Sequence, residues 1–162
     1  MNKILLSACL LGKPVRYDGK SKTLHNATLD QLLSQDRVIS FCPEVAGGLP
    51  VPRATAEIQA GDGAAVIAKQ ASVKTQDGTN VSEYFLSGAQ QALALCRQHE
   101  ITVAILTESS PSCGSGRIYD GSFRRNAIPG KGVTAALLAQ NGVRVFNQHQ
   151  LEEALKYLEI CS

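Results

Sequence analysis

The chain has 162 residues, 44% hydrophobic and 19% charged, and sixteen Lys and Arg side chains against fourteen Asp and Glu leave a net charge of +2. That length suits one α/β domain, 1–162, able to bury its own core without disulfides, and the near-neutral balance excludes a generic electrostatic grip on nucleic acid. The longest nearly unbroken apolar run, residues 4–11, is eight residues long, where a bilayer span needs about 20, and no leader-type cleavage site follows it; the expectation is a cytoplasmic protein with no membrane partner.

Residues 3–9 form a continuous apolar run ending in turn residues, the pattern of a strand buried on both faces. Residues 26–35 follow as a helix with Leu29, Leu32 and Leu33 on one face. Residues 38–42 read as a second strand buried on both faces. The segment 54–79 differs. Its β-rich pieces at Ala56–Gln59, 64–68 and 72–74 surround Asp62-Gly63 and Asp77-Gly78, dipeptides that favour tight hairpins, so it reads as a β-hairpin insertion beside the sheet. Residues 80–99 then form the clearest helix, with Phe85, Ala89, Ala92, Leu93 and Cys96 along one stripe. Strands at 103–106 and 143–146 flank a helix at Val133–Gln140 that stops at Asn141-Gly142. A last helix covers 150–160. Strand–helix alternation of this kind implies βαβ units, and hence a Rossmann-like three-layer domain with a mainly parallel sheet.

The five cysteines are an odd number and too few for a disulfide scaffold. Cys9 ends the first strand and Cys42 the second. Cys113 lies past the strand 103–106, within Thr107-Glu108-Ser109-Ser110-Pro111-Ser112-Cys113-Gly114. Open parallel sheets bind ligands outside the carboxyl ends of their strands, so these three gather at one edge although 33 and 71 residues separate them in sequence. Three separately buried apolar thiols are the plainer alternative. Gly or Pro punctuation after each places them at strand ends, which favours a shared metal. Cys96, on the helix stripe, is a packing residue, and Cys161 an inert thiol in a mobile tail. There is no C-x-x-C, and His25, His99 and His149 form no ligand pair. Three thiolates without a fourth ligand suit either a cubane iron–sulfur cluster with one open iron or a three-ligand catalytic zinc. Spacing leaves both open.

The runs Ser7-Ala8-Cys9-Leu10-Leu11-Gly12 and Val15-Arg16-Tyr17-Asp18-Gly19 resemble the N-terminal signature of the thiouracil desulfurases. So do Cys42-Pro43-Glu44-Val45-Ala46-Gly47-Gly48-Leu49, Pro52-Arg53 with Ala56-Glu57-Ile58, and Ser110-Pro111-Ser112-Cys113-Gly114. Tyr119-Asp120-Gly121 and the run from Gly132 to Leu138 fit as well, in the family's order. The resemblance implies a [4Fe-4S] cluster held by Cys9, Cys42 and Cys113, with its fourth iron free for the sulfur of a thiolated pyrimidine. It also implies functional roles for Glu44 and Ser110, with Ser112 as the fallback serine. The implied reaction is a non-redox desulfuration that replaces thiocarbonyl by carbonyl, releases hydrosulfide and needs no redox partner. The family includes longer proteins with an added domain linked to thiolated RNA. Without such an extension here, the expected substrate is a small thiopyrimidine, as free base or nucleotide.

The residues themselves support this chemistry. Glu44 beside a cysteine site is a candidate general base whose pKa partial burial would raise; Ser110 would orient substrate or relay a proton. Arg16, Arg53, Ser112 and Gly114, the last opening the turn Gly114-Ser115-Gly116-Arg117, are candidates for binding a ring oxygen or phosphate, because backbone N–H groups at glycine turns make anion sites. Tyr17 and Phe123 are candidates for stacking on a pyrimidine. Gly130-Lys131-Gly132 lacks the full phosphate-loop pattern, leaving Lys131 a helix-start lysine. Two other readings stand beside the enzyme: a zinc or iron–sulfur sensor without turnover, and a metal-free nucleotide-binding module.

Overall fold

The computed structural model describes residues 2–20 and 23–160, with the side chain of Ile160 left out; Cys161 lies outside the described residues. Four parallel strands, β1 (Ile4–Ser7), β2 (Val38–Phe41), β5 (Val103–Ile105) and β8 (Arg144–Phe146), form a sheet in the order β2-β1-β5-β8. Alternation along the strands divides the core. Ile4, Leu6, Val103 and Ile105 face helices α1 (Ala27–Ser34) and α6 (Leu151–Ile160), meeting Leu29, Leu32, Ala154 and Leu158. Leu5 and Ala104 face α4 (Ser82–Gln98) and α5 (Val133–Gln140), meeting Ala92, Cys96, Ala135 and Leu138. The result is the three-layer α/β arrangement the alternation implies, with Cys96 packed in the core and its thiol pushed up to about 11 by burial.

Several local expectations change. Only residues 4–7 of the first run are extended; Ala8–Leu11 tighten into a 3₁₀ turn. β2 is half-buried rather than covered on both faces, because it is an edge strand paired only with β1. Leu33 points outward, 41% exposed, while Leu29 and Leu32 supply the buried face of α1.

In the insertion, β3 (Ala56–Gln59) and β4 (Ser72–Thr75) pair antiparallel, but residues 64–68 are not a strand. They belong to α3 (Gly63–Ile67), which starts there because Asp62 accepts the Ala65 N–H at 3.1 Å and caps it. Asp62-Gly63 is thus a helix start and not a hairpin turn. A second antiparallel pair, β6 (Arg117–Tyr119) with β7 (Ala127–Pro129), has only three residues per strand and gives little periodic signal in the sequence. Ile58, Val73 and Ile118 of these small sheets cover Phe85 and Ala89 of α4. No helix among the described residues is long and apolar enough to cross a membrane.

Candidate active site

The three thiols Cys9, Cys42 and Cys113 line one cavity of about 370 Å³, beyond the carboxyl ends of β1, β2 and β5. Cys9 sits in the 3₁₀ turn that follows β1. Gly12 closes that turn in the left-handed region (φ 87°), its N–H donating to the Cys9 carbonyl at 3.2 Å. The Cys9 Sγ lies 3.1 Å from Thr107 Oγ1, and the Thr107 N–H donates to Ser7 Oγ at 3.0 Å, tying the end of β1 to the end of β5. Cys42 is the residue before the short helix α2 (Pro43–Ala46), which Pro43 opens at its first position. Cys113 is held by its own loop: its N–H and that of Ser112 both donate to Ser110 Oγ at 3.1 Å.

Electrostatics report how close these groups are. Burial pushes the Cys113 thiol far up, and negative charge on Cys42, Glu44 and Cys9 adds to the rise, against a lowering hydrogen bond from Ser7. Burial also raises Cys42, with Glu44 adding to it. Thiolates so placed need a cationic centre to become ligands. A single zinc would draw the sulfurs to within about 2.3 Å of one point, yet no three His, Cys, Asp or Glu side chains among the described residues converge closely enough to share one ion. A cubane takes each thiolate on a different iron, so an all-sulfur donor set spread around one cavity fits a cluster better than a lone ion.

Glu44 lines the same cavity from the first turn of α2. Its Oε1 pairs with Arg53 Nε at 3.4 Å, and its Oε2 accepts the Ser110 hydroxyl at 3.4 Å. Burial raises its pKa, and Arg53 and Ser110 offset only part of the rise. The Arg53 side chain is 6% exposed, and its Nη1 donates to the Val15 and Pro50 carbonyls at 3.1 and 3.2 Å. Its Nε and Nη1 therefore serve Glu44 and the surrounding backbone, while the side chain also lines the cavity. Arg16 lines the cavity with its guanidinium 6.0 Å from the Tyr17 ring centre; Tyr17 and Phe123 line it too. His25, His99, His149 and Lys131 are not among the residues that line it.

Two predicted binding residues lie outside the cavity lining. Ser112 is fully buried, its hydroxyl sharing a 2.9 Å hydrogen bond with Thr134 Oγ1, so it faces the base of α5. Gly114 is a close-approach glycine: a Cβ there would stand 2.4 Å from the Arg117 carbonyl oxygen. The anion expected at the Gly114–Arg117 turn is supplied by the chain. Glu108 Oε1 accepts the N–H groups of Ser115 (3.0 Å), Gly116 (3.2 Å), Arg117 (3.0 Å) and Ser109 (3.2 Å), while Oε2 accepts Asn147 Nδ2 at 2.8 Å. Burial alone would raise the Glu108 pKa, but these donors outweigh it and hold the carboxyl below its ordinary value. Sequence reasoning found the nest and missed its occupant, which stands in the quoted run Thr107-Glu108-Ser109. It also passed over Glu57 and Arg125, both in the cavity wall.

A family model described as 2-thiouracil desulfurase matches residues 4–150. YbbK of Bacillus subtilis (strain 168), described as an uncharacterized protein, is 40% identical over 152 residues, 94% of this chain and 99% of that one. A solved structure described as a [4Fe-4S]-dependent thiouracil desulfidase, TudS, shares the fold with a TM-score of 0.91 and 47% identity, covering 99% of each chain. Matched over nearly its whole length, the chain belongs to the 2-thiouracil desulfurase family.

Proposed function

We propose that this protein exchanges the sulfur of a thiouracil-type pyrimidine for oxygen, using a [4Fe-4S] cluster held by Cys9, Cys42 and Cys113. The observation that carries the reading is that three thiols from three separate strand ends, with a half-buried carboxylate, line one cavity. When bound, the cluster supplies an iron with an open coordination position, a Lewis acid suited to a thiocarbonyl sulfur. The reaction consumes one water and yields the carbonyl compound and hydrosulfide. No electrons are gained or lost, so no redox partner is required.

Glu44 accepts the proton of the attacking water and returns one to the departing sulfur. Burial raises its pKa above the ordinary carboxylate value, the direction that favours both tasks. Arg53 holds the carboxylate from one side and Ser110 from the other. Both lone pairs of the Ser110 hydroxyl are taken by the Ser112 and Cys113 N–H groups, so its single proton is directed at Glu44. Ser110 thus couples the base to the cysteine loop. Arg16 offers a cation to the substrate, and Tyr17 and Phe123 offer ring faces. The substrate is a free base or nucleotide, and the whole of 1–162 acts as one domain. We place the protein in the cytoplasm, where reducing conditions keep its cysteines as thiols.

The test is anaerobic, cluster-loaded protein given 2-thiouracil or 4-thiouracil without reductant; uracil and hydrosulfide in equal amounts are expected. Glu44→Gln should keep the cluster's visible absorption and lose turnover by about 10²–10⁴-fold. Unchanged turnover in that variant would remove Glu44 from the mechanism.

A further inference from the structure

β3 places Glu57 in the wall of the same cavity, only 7% exposed. A carboxylate at that depth is costly unless it is paired or hydrogen-bonded. Among the described residues no Lys or Arg lies within ion-pair distance of it. Its Oε1 instead accepts the N–H groups of Gly121 (2.9 Å) and Phe123 (3.2 Å). That loop is fixed independently. Gln59 Nε2 donates to the Gly121 carbonyl at 2.9 Å, Asp120 Oδ1 accepts the Ser122 N–H at 2.9 Å, and Asp120 Oδ2 accepts Asn126 Nδ2 at 2.7 Å.

Oε1 is therefore fully used, whereas no donor among the described residues reaches Oε2. No fully buried side-chain oxygen or nitrogen among the described residues lacks a partner, so Oε2 is not sealed in protein. The open space that Glu57 lines is the cavity. An ionised carboxylate oxygen accepts and does not donate. It selects a ring that presents N–H, and rejects one that presents a lone pair or a methyl group.

Resting on the thiouracil reading above, we infer that Oε2 of Glu57 accepts the N3–H of the thiopyrimidine and is a specificity-determining residue. N3 lies between C2 and C4, next to the reacting carbon whichever of the two bears sulfur. It is also the ring N–H that survives when N1 carries a ribose.

The experiment compares 2-thiouracil with its 1-methyl and 3-methyl derivatives on anaerobic, cluster-loaded protein. Turnover gives kcat/KM, and calorimetry on the turnover-deficient Glu44→Gln protein gives Kd. Losing a hydrogen bond to a charged acceptor should weaken the 3-methyl compound on the order of 10- to 100-fold, in Kd and in kcat/KM. The 1-methyl compound should stay within about threefold of the parent. In Glu57→Gln the amide oxygen can keep the loop N–H groups and the NH₂ then faces the cavity. The parent should lose affinity, chiefly through KM, while the 3-methyl compound changes little, so the distinction collapses. A wild-type protein that treats 3-methyl and parent alike overturns the inference, as does a Glu57→Gln variant that weakens all three equally. If Glu57→Gln fails to fold, the wild-type comparison still decides. Selective binding without desulfuration would sink the proposed reaction and leave this assignment standing.

Discussion

Replacing Glu108 by alanine tests whether the cysteine loop is held by a carboxylate of the chain itself. Six contacts end on that side chain: the N–H groups of Ser109, Ser115, Gly116 and Arg117, the Ser115 hydroxyl, and Asn147 Nδ2. A hydrogen bond to a charged acceptor contributes about 1.5–3 kcal/mol, but the six do not add. Gly116 and Arg117 are exposed, so their N–H groups find water once the carboxylate is gone. The uncompensated loss comes from the half-buried Ser109, Ser115 and Asn147 contacts, about 2–3 kcal/mol in all. At this chain length that lowers Tm by roughly 4–12 °C. Glu108→Gln, which keeps an acceptor oxygen and loses the charge, should fall between variant and parent. The pH dependence has a definite sign. The folded pKa lies below the unfolded value near 4.5, so the carboxylate's contribution is complete above that value and is lost as pH falls through the folded pKa. The gap between Glu108→Ala and parent should therefore hold at neutral pH and close in acid. Thermal unfolding followed by circular dichroism measures it. Melting temperatures that coincide within about a degree at neutral pH would refute the account, because they would mean the loop closes without its internal anion.

Other outcomes follow from the same geometry. Cys9→Ser, Cys42→Ser and Cys113→Ser should each lose bound iron and visible absorption, whereas Cys96→Ser, in the core beside α5, should keep both; iron analysis after anaerobic reconstitution distinguishes them. Gly88→Ala ordinarily favours a helix by about 1 kcal/mol, but here the new Cβ would stand 2.0 Å from the Pro43 carbonyl oxygen. The expected result is destabilisation by about 2 kcal/mol or more in urea unfolding, with loss of turnover, since α2 carries Glu44.

The parallel sheet and its main helices were legible for different reasons: Ile4 to Leu6 form a continuous apolar run buried on both faces, Phe85 to Cys96 form one helical stripe, and the apolar helix Val133–Gln140 ends at Asn141-Gly142. What failed were short elements decided by a single side chain. Residues 64–68 are as apolar as a strand, and the Asp62 cap turns them into helix. β6 and β7 are too short to show a period. The placement of Cys9, Cys42 and Cys113 around one cavity was legible because strand ends in a parallel sheet converge, and Glu44 follows Cys42 by two residues. Ser112 and Gly114 were misjudged because sequence shows a residue's neighbours in the chain and not the direction of its side chain. Glu108 and Glu57 escaped because their work is done through loops 7 to 9 and 64 to 66 residues away.

The position of β2 at the rim of the sheet has a mechanical consequence. Backbone pairing restrains it from one side only, toward β1. If the proposed cluster is gripped jointly by Cys9, Cys42 and Cys113, it would act as a rivet, fastening that outer strand to the two interior ones. Because α2 continues directly from Cys42, such a rivet would also fix where Glu44 stands. On the proposed mechanism, loss of the cluster would thus disarm the protein twice over, removing its Lewis acid and freeing the strand end that carries Glu44.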